Sequence, residues 1–146
     1  MDITKMTGLE IMKAFADKSL PMPSIARTMP MEIDTITKGE VVFIVMANNN
    51  HINPLGSIHG GFSATIIDSV TGCALHTVLE AGAAYSTIDL NVKMCMPIPI
   101  NTSLKAIGKV INVTNSLGIS EGKIVDENGT VYAYGTALLK LHRKKA

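Results

Sequence analysis

The segment that most constrains the fold of this 146-residue chain is residues 53–79. A turn-rich approach leads to His59-Gly60-Gly61, and a long run of small and apolar residues follows. The run is far too long for a single strand, so it predicts one helix over residues 61–79. Because that helix is apolar around most of its girth, we expect it to lie inside the protein.

One acidic residue interrupts this apolar run. Between Val41 and Leu79, Asp68 is the only Asp, Glu, Lys or Arg. Carboxylates in apolar surroundings are rarely kept without a partner or a task, because burying an unpaired charge costs free energy. Asp68 is therefore the leading candidate for a functional residue. The alternative is an aspartate that faces solvent or caps a neighbouring element.

The remaining segments predict one short helix and six strands. Apolar residues recur on one helical face over residues 7–18, and Pro21 and Pro23 end this helix and open an extended linker. Runs of β-branched and alternating residues, separated by turn residues such as Lys38-Gly39, mark the strands. We place them at residues 31–37, 40–47, 85–95, 102–113, 117–125 and 130–141.

The strand patterns give further detail. Residues 41–46 are apolar on both parities, which predicts a strand buried on both faces. Residues 85–95 alternate strictly, with Ile88 and Leu90 facing the core and Thr87 facing outward. The last four strands follow one another through short turns, which predicts an antiparallel meander.

These elements define the fold class. A sheet with a single apolar helix must wrap that helix in order to bury it on all sides. We therefore predict an α+β fold, in which an antiparallel sheet curls around one central helix. A single domain is expected over residues 1–146, with an N-terminal helix and linker over residues 1–25 and the core over residues 31–142.

Composition excludes several classes of function. Net charge is +1 and 17% of residues are charged, with no basic stripe that would indicate a nucleic-acid partner. The basic cluster at residues 142–145 is interpreted as a solvated tail, with contact to a ligand phosphate as the alternative. Cys73 and Cys95 suit small core residues in a reducing compartment. We see no signal peptide or membrane span and expect a cytoplasmic protein.

The sequence resembles the hotdog-fold acyl-CoA thioesterases, in the branch typified by the phenylacetic-acid-degradation thioesterase and the mammalian thioesterase-superfamily proteins. Asp68 lies nine positions after the histidine of the His-Gly-Gly motif, and the resemblance extends over residues 31–141. A second thioesterase branch uses Glu and Gln where this chain has Asp and Asn. The residues that carry the resemblance are Asn53, Gly56, His59, Gly60, Gly61, Asp68, residues 87–91 and Met96-Pro97.

The resemblance implies a hotdog fold of five to six strands around the central helix. It implies hydrolysis of an acyl-CoA thioester to a free acid and coenzyme A, without a metal or redox cofactor. It also implies a homodimer, and often a dimer of dimers (a homotetramer). Ser86 and Gly61 become candidate substrate-binding residues, and Asn53, His59 and Thr87 join Asp68 and Gly60 as candidate catalytic residues.

Gly60 and Gly61 are interpreted as backbone hydrogen-bond donors to the substrate. Backbone N–H groups at the start of a helix lack intrahelical partners and carry the positive end of the helix dipole. They can donate to the oxyanion that develops on a thioester carbonyl, and glycine lets the ligand approach closely. The alternative is a tight turn that needs two glycines for its backbone alone.

The side-chain candidates have open roles. Asp68 could attack the carbonyl directly or deprotonate a water. Asn53 could orient the water or the carbonyl, or simply form a turn. Thr87 could donate a hydrogen bond to Asp68 or to the water, or it could simply face outward from its strand. His59 could position the two glycines or polarise the carbonyl, or it could be structural. His51 and His76 are expected to be structural. A metal held by His51, Asn53 and His59 would lack a further strong ligand.

Spacing sets a condition on any shared role. Gly60 and Asp68 are eight residues apart on one helix, which is about 12 Å along its axis. One carbonyl carbon cannot lie about 3 Å from both groups. If both act on one thioester, they must come from two copies of the chain, which predicts a two-fold dimer with Asp68 supplied by the partner protomer.

Two other functions stay open. A non-catalytic acyl-CoA-binding or sensing domain has the same fold, and a hydratase or dehydratase is a weaker reading because it would not need His-Gly-Gly and Asp68 in this arrangement. The acyl group is not specified by the sequence. The sequence also does not specify which basic residues bind the coenzyme A phosphates. The candidates are Lys105, Lys109, Lys123 and the C-terminal tail.

Overall fold

The computed structural model describes residues 2–144. It contains a 3-10 turn at Ile3–Lys5, helices α1 (Gly8–Ala16) and α2 (Ile25–Thr28), a second 3-10 turn at Asn49–His51, and the long helix α3 (Gly60–His76). The strands are β1 (Met31–Thr37), β2 (Glu40–Val45), β3 (Ala84–Met94), β4 (Leu104–Val113), β5 (Leu117–Val125) and β6 (Val131–His142).

The six strands form one antiparallel sheet in the order β1-β2-β4-β5-β6-β3. The predicted meander is correct for β4, β5 and β6 but wrong for β3, which does not pair with β4. Instead, β3 pairs with β6 and forms an edge of the sheet. The connection from β3 to β4 therefore crosses over β6 and β5. Sequence order alone favoured the shorter connection, whereas the crossover lets both halves of the sheet cover α3.

Helix α3 lies against the concave face of this sheet, as predicted. Phe62, Ile66, Ile67 and Val70 are fully buried between helix and strands. The helix begins one residue before the predicted start and ends at His76, with Thr77 as its C-cap. The α+β class with one central helix is confirmed.

A row of glycines sets the distance between α3 and the sheet. Gly108 pairs with Gly122, and Gly122 pairs with Gly135, across β4, β5 and β6. A Cβ atom added at Gly108 would lie 2.0 Å from the carbonyl oxygen of Val70. The helix backbone therefore rests almost directly on the strand backbone at this point.

Strand β2 corrects a second expectation. Its residues alternate between fully buried positions at Val41, Phe43 and Val45 and half-buried positions between them. The prediction of burial on both faces was wrong, because only one face of β2 packs on the core. The other face carries apolar side chains that stay partly exposed.

A β-bulge breaks the strict alternation predicted for β3. The pairing with β6 passes from Thr87 to Asp89 and leaves Ile88 as the extra residue. Ile88 is 54% exposed, while Tyr85 and Thr87 turn inward with Leu90 and Val92. The prediction that Thr87 faces outward and Ile88 inward was therefore wrong, because the bulge exchanges the two faces.

The N-terminal segment covers one side of α3. Thr7 and Glu10 form a capping box at the start of α1, as each accepts a hydrogen bond from the other's backbone N–H. The Gly8 N–H donates to the Leu79 carbonyl, and Gly8 lies against the carbonyl of His76. The linker after Pro21 and Pro23 is not wholly extended, because it contains α2.

Candidate active site

Asp68 lies in the middle of α3 and is half-buried. The Thr87 hydroxyl donates a hydrogen bond of 2.8 Å to its carboxylate. The bulge at Ile88 makes this contact possible, because it turns Thr87 toward the helix. The pair leaves the rest of the carboxylate open toward a cavity.

That cavity has a volume of about 270 Å³. Its floor is the face of α3 that carries Asp68, Ser69, Cys73 and His76. Its other walls come from α1, the linker with α2, and strands β1, β2 and β3, through mainly apolar side chains such as Phe15 and Phe43. The arrangement is an apolar pocket with a carboxylate in one wall.

His59 caps the start of α3. Its backbone is extended and its Nδ1 accepts a hydrogen bond of 2.8 Å from the Gly61 N–H. The Gly61 donor is therefore in use, whereas the Gly60 N–H has no acceptor within residues 2–144. Of the two predicted donors, Gly60 is the one that a substrate oxygen can reach without displacing a cap.

A second cavity of about 340 Å³ lies at this glycine end of α3. It is lined by Ser57, His59, Gly60, Met94 and their neighbours, and it shares no lining residue with the cavity of Asp68. Within one chain, the predicted oxyanion donor and the predicted acid therefore open into separate cavities, as the spacing argument requires.

Asn53 forms the turn before the glycine motif. Its side-chain oxygen accepts hydrogen bonds from the backbone N–H groups of Leu55 (2.9 Å) and Ser57 (3.1 Å). This is the turn-forming role, and Asn53 lines neither of the two cavities. Its catalytic role stays a prediction.

Ser86 lies on the opposite face of β3 from Tyr85 and Thr87. Its hydroxyl is 2.9 Å from the Nε2 atom of His142, and both side chains are exposed. The structure does not bring Ser86 to the cavity of Asp68 within one chain, so its substrate-binding role also stays a prediction.

His51 has the structural role expected of it. Its Nδ1 accepts from the Asn48 N–H at 2.9 Å, so Nε2 carries the proton that is donated to the Thr28 carbonyl at 2.7 Å. The ring also packs on Phe62. These contacts tie the loop before α3 to the N-terminal segment.

Three polar residues to which the sequence assigned no functional role also line the cavity of Asp68: Cys73, His76 and Tyr85. Burial and the nearby Asp68 carboxylate raise the pKa of the Cys73 thiol to about 12, and burial lowers the pKa of His76. Burial, aided by Cys73 and Asp68, raises the pKa of Tyr85. Ser69, Cys73 and His76 follow the i, i+4, i+7 spacing of one helical face, which was the available signal.

Two features of the described residues bear on other functions. Residues 2–144 contain no cluster of three or more His, Cys, Asp or Glu side chains placed to hold a metal ion. No helix in the same range has the length and apolarity needed to cross a membrane.

The family model described as Thioesterase superfamily matches residues 55–133, which is more than half of the chain. The chain therefore belongs to the thioesterase superfamily. The matched segment contains His59, Gly60, Asp68 and Thr87, and the resemblance to this superfamily is confirmed.

Curated relatives agree with this assignment. A candidate esterase of Halobacterium salinarum is 35% identical over 89 residues, which is 60% of this chain and 58% of that protein. Human acyl-coenzyme A thioesterase 13 is 24% identical over 98 residues, or 66% of this chain and 69% of that protein. The match thus spans somewhat more than half the length of each relative.

A solved structure shows the fold. A phenylacetic acid degradation-related protein of Ralstonia eutropha, described as a candidate thioesterase, aligns with a TM-score of 0.80 at 23% identity. The alignment covers 88% of this chain and 97% of that one. The architecture of six antiparallel strands around a long central helix is that of the hotdog fold.

Proposed function

We propose that the protein hydrolyses acyl-CoA thioesters to a free acid and coenzyme A. The observation that carries the proposal is the half-buried carboxylate of Asp68, held by the Thr87 hydroxyl at 2.8 Å in the wall of an apolar pocket. An apolar pocket suits an acyl chain, and a carboxylate suits the attack on its carbonyl carbon. The human relative named above supplies coenzyme A as the expected leaving group.

The proposed chemistry uses groups of two protomers. The Gly60 N–H of one protomer donates to the thioester oxygen as negative charge develops there. Asp68 of the partner subunit attacks the carbonyl carbon, or takes a proton from the water that does so. The C–S bond then breaks, and the thiolate of coenzyme A leaves and takes up a proton. If Asp68 itself has attacked, water then hydrolyses the mixed anhydride, which releases the free acid and restores the Asp68 carboxylate. This sequence needs no metal or redox cofactor.

The position of β3 supports such a dimer. Thr87, near one end of β3, bonds Asp68, while Met94, at the other end, lies against Gly60. β3 is a sheet edge with no strand beyond it in the described chain, and Ile88 and Met94 are each more than half exposed on it. Antiparallel pairing of two β3 edges about a two-fold axis would bring Asp68 of one protomer toward Gly60 of the other.

The central test replaces Asp68 by Asn. Asn keeps the size and the acceptor oxygen but cannot act as a nucleophile or base, so thiol release from acyl-CoA should fall at least about 100-fold. The matched control is Glu127→Gln, at an exposed carboxylate in the turn between β5 and β6, which should retain full activity. Wild-type turnover in Asp68→Asn would refute the role of Asp68. Acyl-CoA binding by the wild type without thiol release would favour the non-catalytic binding domain.

We also retain the cytoplasm as the proposed compartment. Both cysteines are free thiols, which suits a reducing compartment. The expectation that both are core residues is wrong for Cys95, because its side chain is exposed, whereas Cys73 is half-buried.

A further inference from the structure

The far end of the cavity that contains Asp68 carries polar groups that the proposed hydrolysis does not use. Cys73 and His76 follow Asp68 along the same face of α3, and Tyr85 faces them from β3. The His76 and Tyr85 rings stand edge to face, with centroids 5.6 Å apart. Within residues 2–144, none of the three side chains donates or accepts a hydrogen bond, whereas Ser69 and Thr87 in the same cavity both donate one.

The position of Tyr85 fixes a distance from the reacting centre. A Cβ atom added at Gly72 would lie 2.8 Å from the Tyr85 hydroxyl, so this hydroxyl sits beside the helix at Gly72. Gly72 is four residues after Asp68, which is about 6 Å along the axis. An acyl chain whose carbonyl carbon is at Asp68 and which runs toward the C-terminal end of α3 therefore passes the Tyr85 hydroxyl about five bonds later. Each C–C bond is about 1.5 Å long, but in an extended zigzag chain it advances only about 1.25 Å.

The charge state of this end limits what it can receive. Burial raises the pKa of Tyr85 and of Cys73, so both keep their protons at neutral pH. Burial lowers the pKa of His76, which favours the neutral imidazole. Within residues 2–144, the lining of the cavity contains no Lys or Arg, and Asp68 is its single carboxylate. A terminal carboxylate would thus be buried without a cation, which is costly, whereas a neutral oxygen would find donors and acceptors.

Resting on the proposed thioester hydrolysis, we propose that this pocket selects acyl groups that carry a neutral hydrogen-bonding oxygen, a hydroxyl or a carbonyl, at the end remote from the thioester. Tyr85 is the residue that recognises this oxygen, and His76 and Cys73 complete the polar end. Unsubstituted acyl chains leave these three groups unpaired, which penalises their binding. Acyl chains with a terminal carboxylate bind poorly, because Asp68 repels the second negative charge and no cation of the lining neutralises it.

The test compares three six-carbon substrates, chosen because an extended chain of that length spans about 6 Å. They are hexanoyl-CoA, 6-hydroxyhexanoyl-CoA and adipyl-CoA, which differ at the terminal carbon. We expect wild-type kcat/KM for thiol release to favour the hydroxylated chain over hexanoyl about tenfold, the value of one hydrogen bond, with adipyl-CoA last. Tyr85→Phe should bring the hydroxylated-to-hexanoyl ratio close to one.

The matched control is Tyr134→Phe. The Tyr134 hydroxyl donates to Glu121 on the outer face of the sheet, so its removal should leave the wild-type ratio. An equal ratio in wild type and Tyr85→Phe, or a wild-type preference for hexanoyl-CoA or adipyl-CoA, would overturn the proposal.

A binding measurement separates this proposal from the proposed function. Dissociation constants of the same three compounds are measured by calorimetry on Asp68→Asn, with and without Tyr85→Phe. If the wild type releases no thiol but the binding preference for the hydroxylated chain depends on Tyr85, hydrolysis is refuted and the pocket assignment stands. If thiol is released but no preference depends on Tyr85 in either assay, hydrolysis stands and the pocket assignment is refuted.

Discussion

At the start of α3, the backbone N–H of Gly61 is used in a structural hydrogen bond, whereas that of Gly60 is not, among the residues that the structure describes. His59 Nδ1 accepts from the Gly61 N–H, whereas Gly60, which lines the cavity at the glycine end, has no acceptor for its N–H within residues 2–144. We therefore propose a positioning role for His59, since its ring holds the backbone next to Gly60. Sequence could propose both glycines as donors, but the division between them depends on the orientation of one imidazole ring.

Gly60→Pro tests this donor directly. Gly60 is the first residue of α3, where proline is well tolerated because its missing N–H would have no helical partner. We expect the helix to remain and kcat for thiol release to fall about 100-fold or more, as for other oxyanion donors.

Gly60→Ala is the matched control, because it adds the same Cβ atom and keeps the N–H. That atom would come 3.2 Å from the terminal methyl of Met94, a flexible group that can move aside. A Pro variant as active as the Ala variant would show that the Gly60 N–H is not the donor.

Thr87→Val tests the hydrogen bond that holds the acid. Valine has the shape of threonine without the hydroxyl, so the Asp68 carboxylate loses its 2.8 Å partner. A hydrogen bond to a charged group is worth about 1.5–3 kcal/mol, and we expect kcat to fall about tenfold or more. Thr87→Ser keeps a hydroxyl at this position and should stay near the wild-type rate, and equal rates for the Val and Ser variants would contradict the prediction.

Among the secondary-structure elements, strand β3 shows which features the sequence predicts and which it does not. Its length and its turn residues were readable, and the predicted range differs from the observed one by a single residue at each end. Its bulge was not readable, because Ile88 looks like a core residue in a strictly alternating pattern. Its place at the sheet edge was not readable either, since strand order depends on contacts between segments that are far apart in sequence.

The same limits apply to the site. Asp68 and the glycine motif stood out because one charge and two glycines interrupt an apolar run. Tyr85, His76 and Cys73 did not stand out, because each is an ordinary residue in its own segment. Helical spacing places Cys73 and His76 on one face of α3, but only the packing of β3 on α3 reveals that Tyr85 and a cavity lie against that face.

The glycine row between helix and sheet gives a prediction about stability. Gly108→Ala would place a Cβ atom 2.0 Å from the Val70 carbonyl oxygen, a backbone atom that cannot move aside. We expect the free energy of unfolding, measured in urea, to fall by about 3 kcal/mol or more. At Gly122 the nearest atom to an added Cβ is a methyl of Val70 at 3.1 Å, so Gly122→Ala should cost about 1 kcal/mol.

Equal losses at Gly108 and Gly122 would contradict this account. They would mean that the two positions are limited by the strands themselves and that contact with α3 adds nothing.

At the scale of the whole molecule, the two-protomer site predicts complementation between inactive variants. In a heterodimer of Gly60→Pro and Asp68→Asn chains, one site receives an intact Gly60 from the second chain and an intact Asp68 from the first. The other site receives both defects. The heterodimer should therefore recover about half of the wild-type activity, although each homodimer is nearly inactive.

The heterodimer is obtained by co-expressing the two chains with different affinity tags and purifying on both tags in turn. Thiol release is measured beside the two homodimers purified in the same way. If Gly60 and Asp68 of a single chain formed one site, every site in the heterodimer would carry a defect and no activity would return.

The cover that α1, the linker and α2 place over α3 has a consequence for how this protein family can diversify. Met12, Phe15, Met22 and Ile25 wall the cavity of Asp68 from a segment that contributes no strand to the sheet and none of the proposed catalytic groups. Changes in this cover can reshape the space for the acyl chain while the helix that carries the proposed catalytic groups keeps its sequence. The size and shape of the space for the acyl chain can thus change through the N-terminal segment, whereas the polar end proposed to select the substrate stays on α3 and β3.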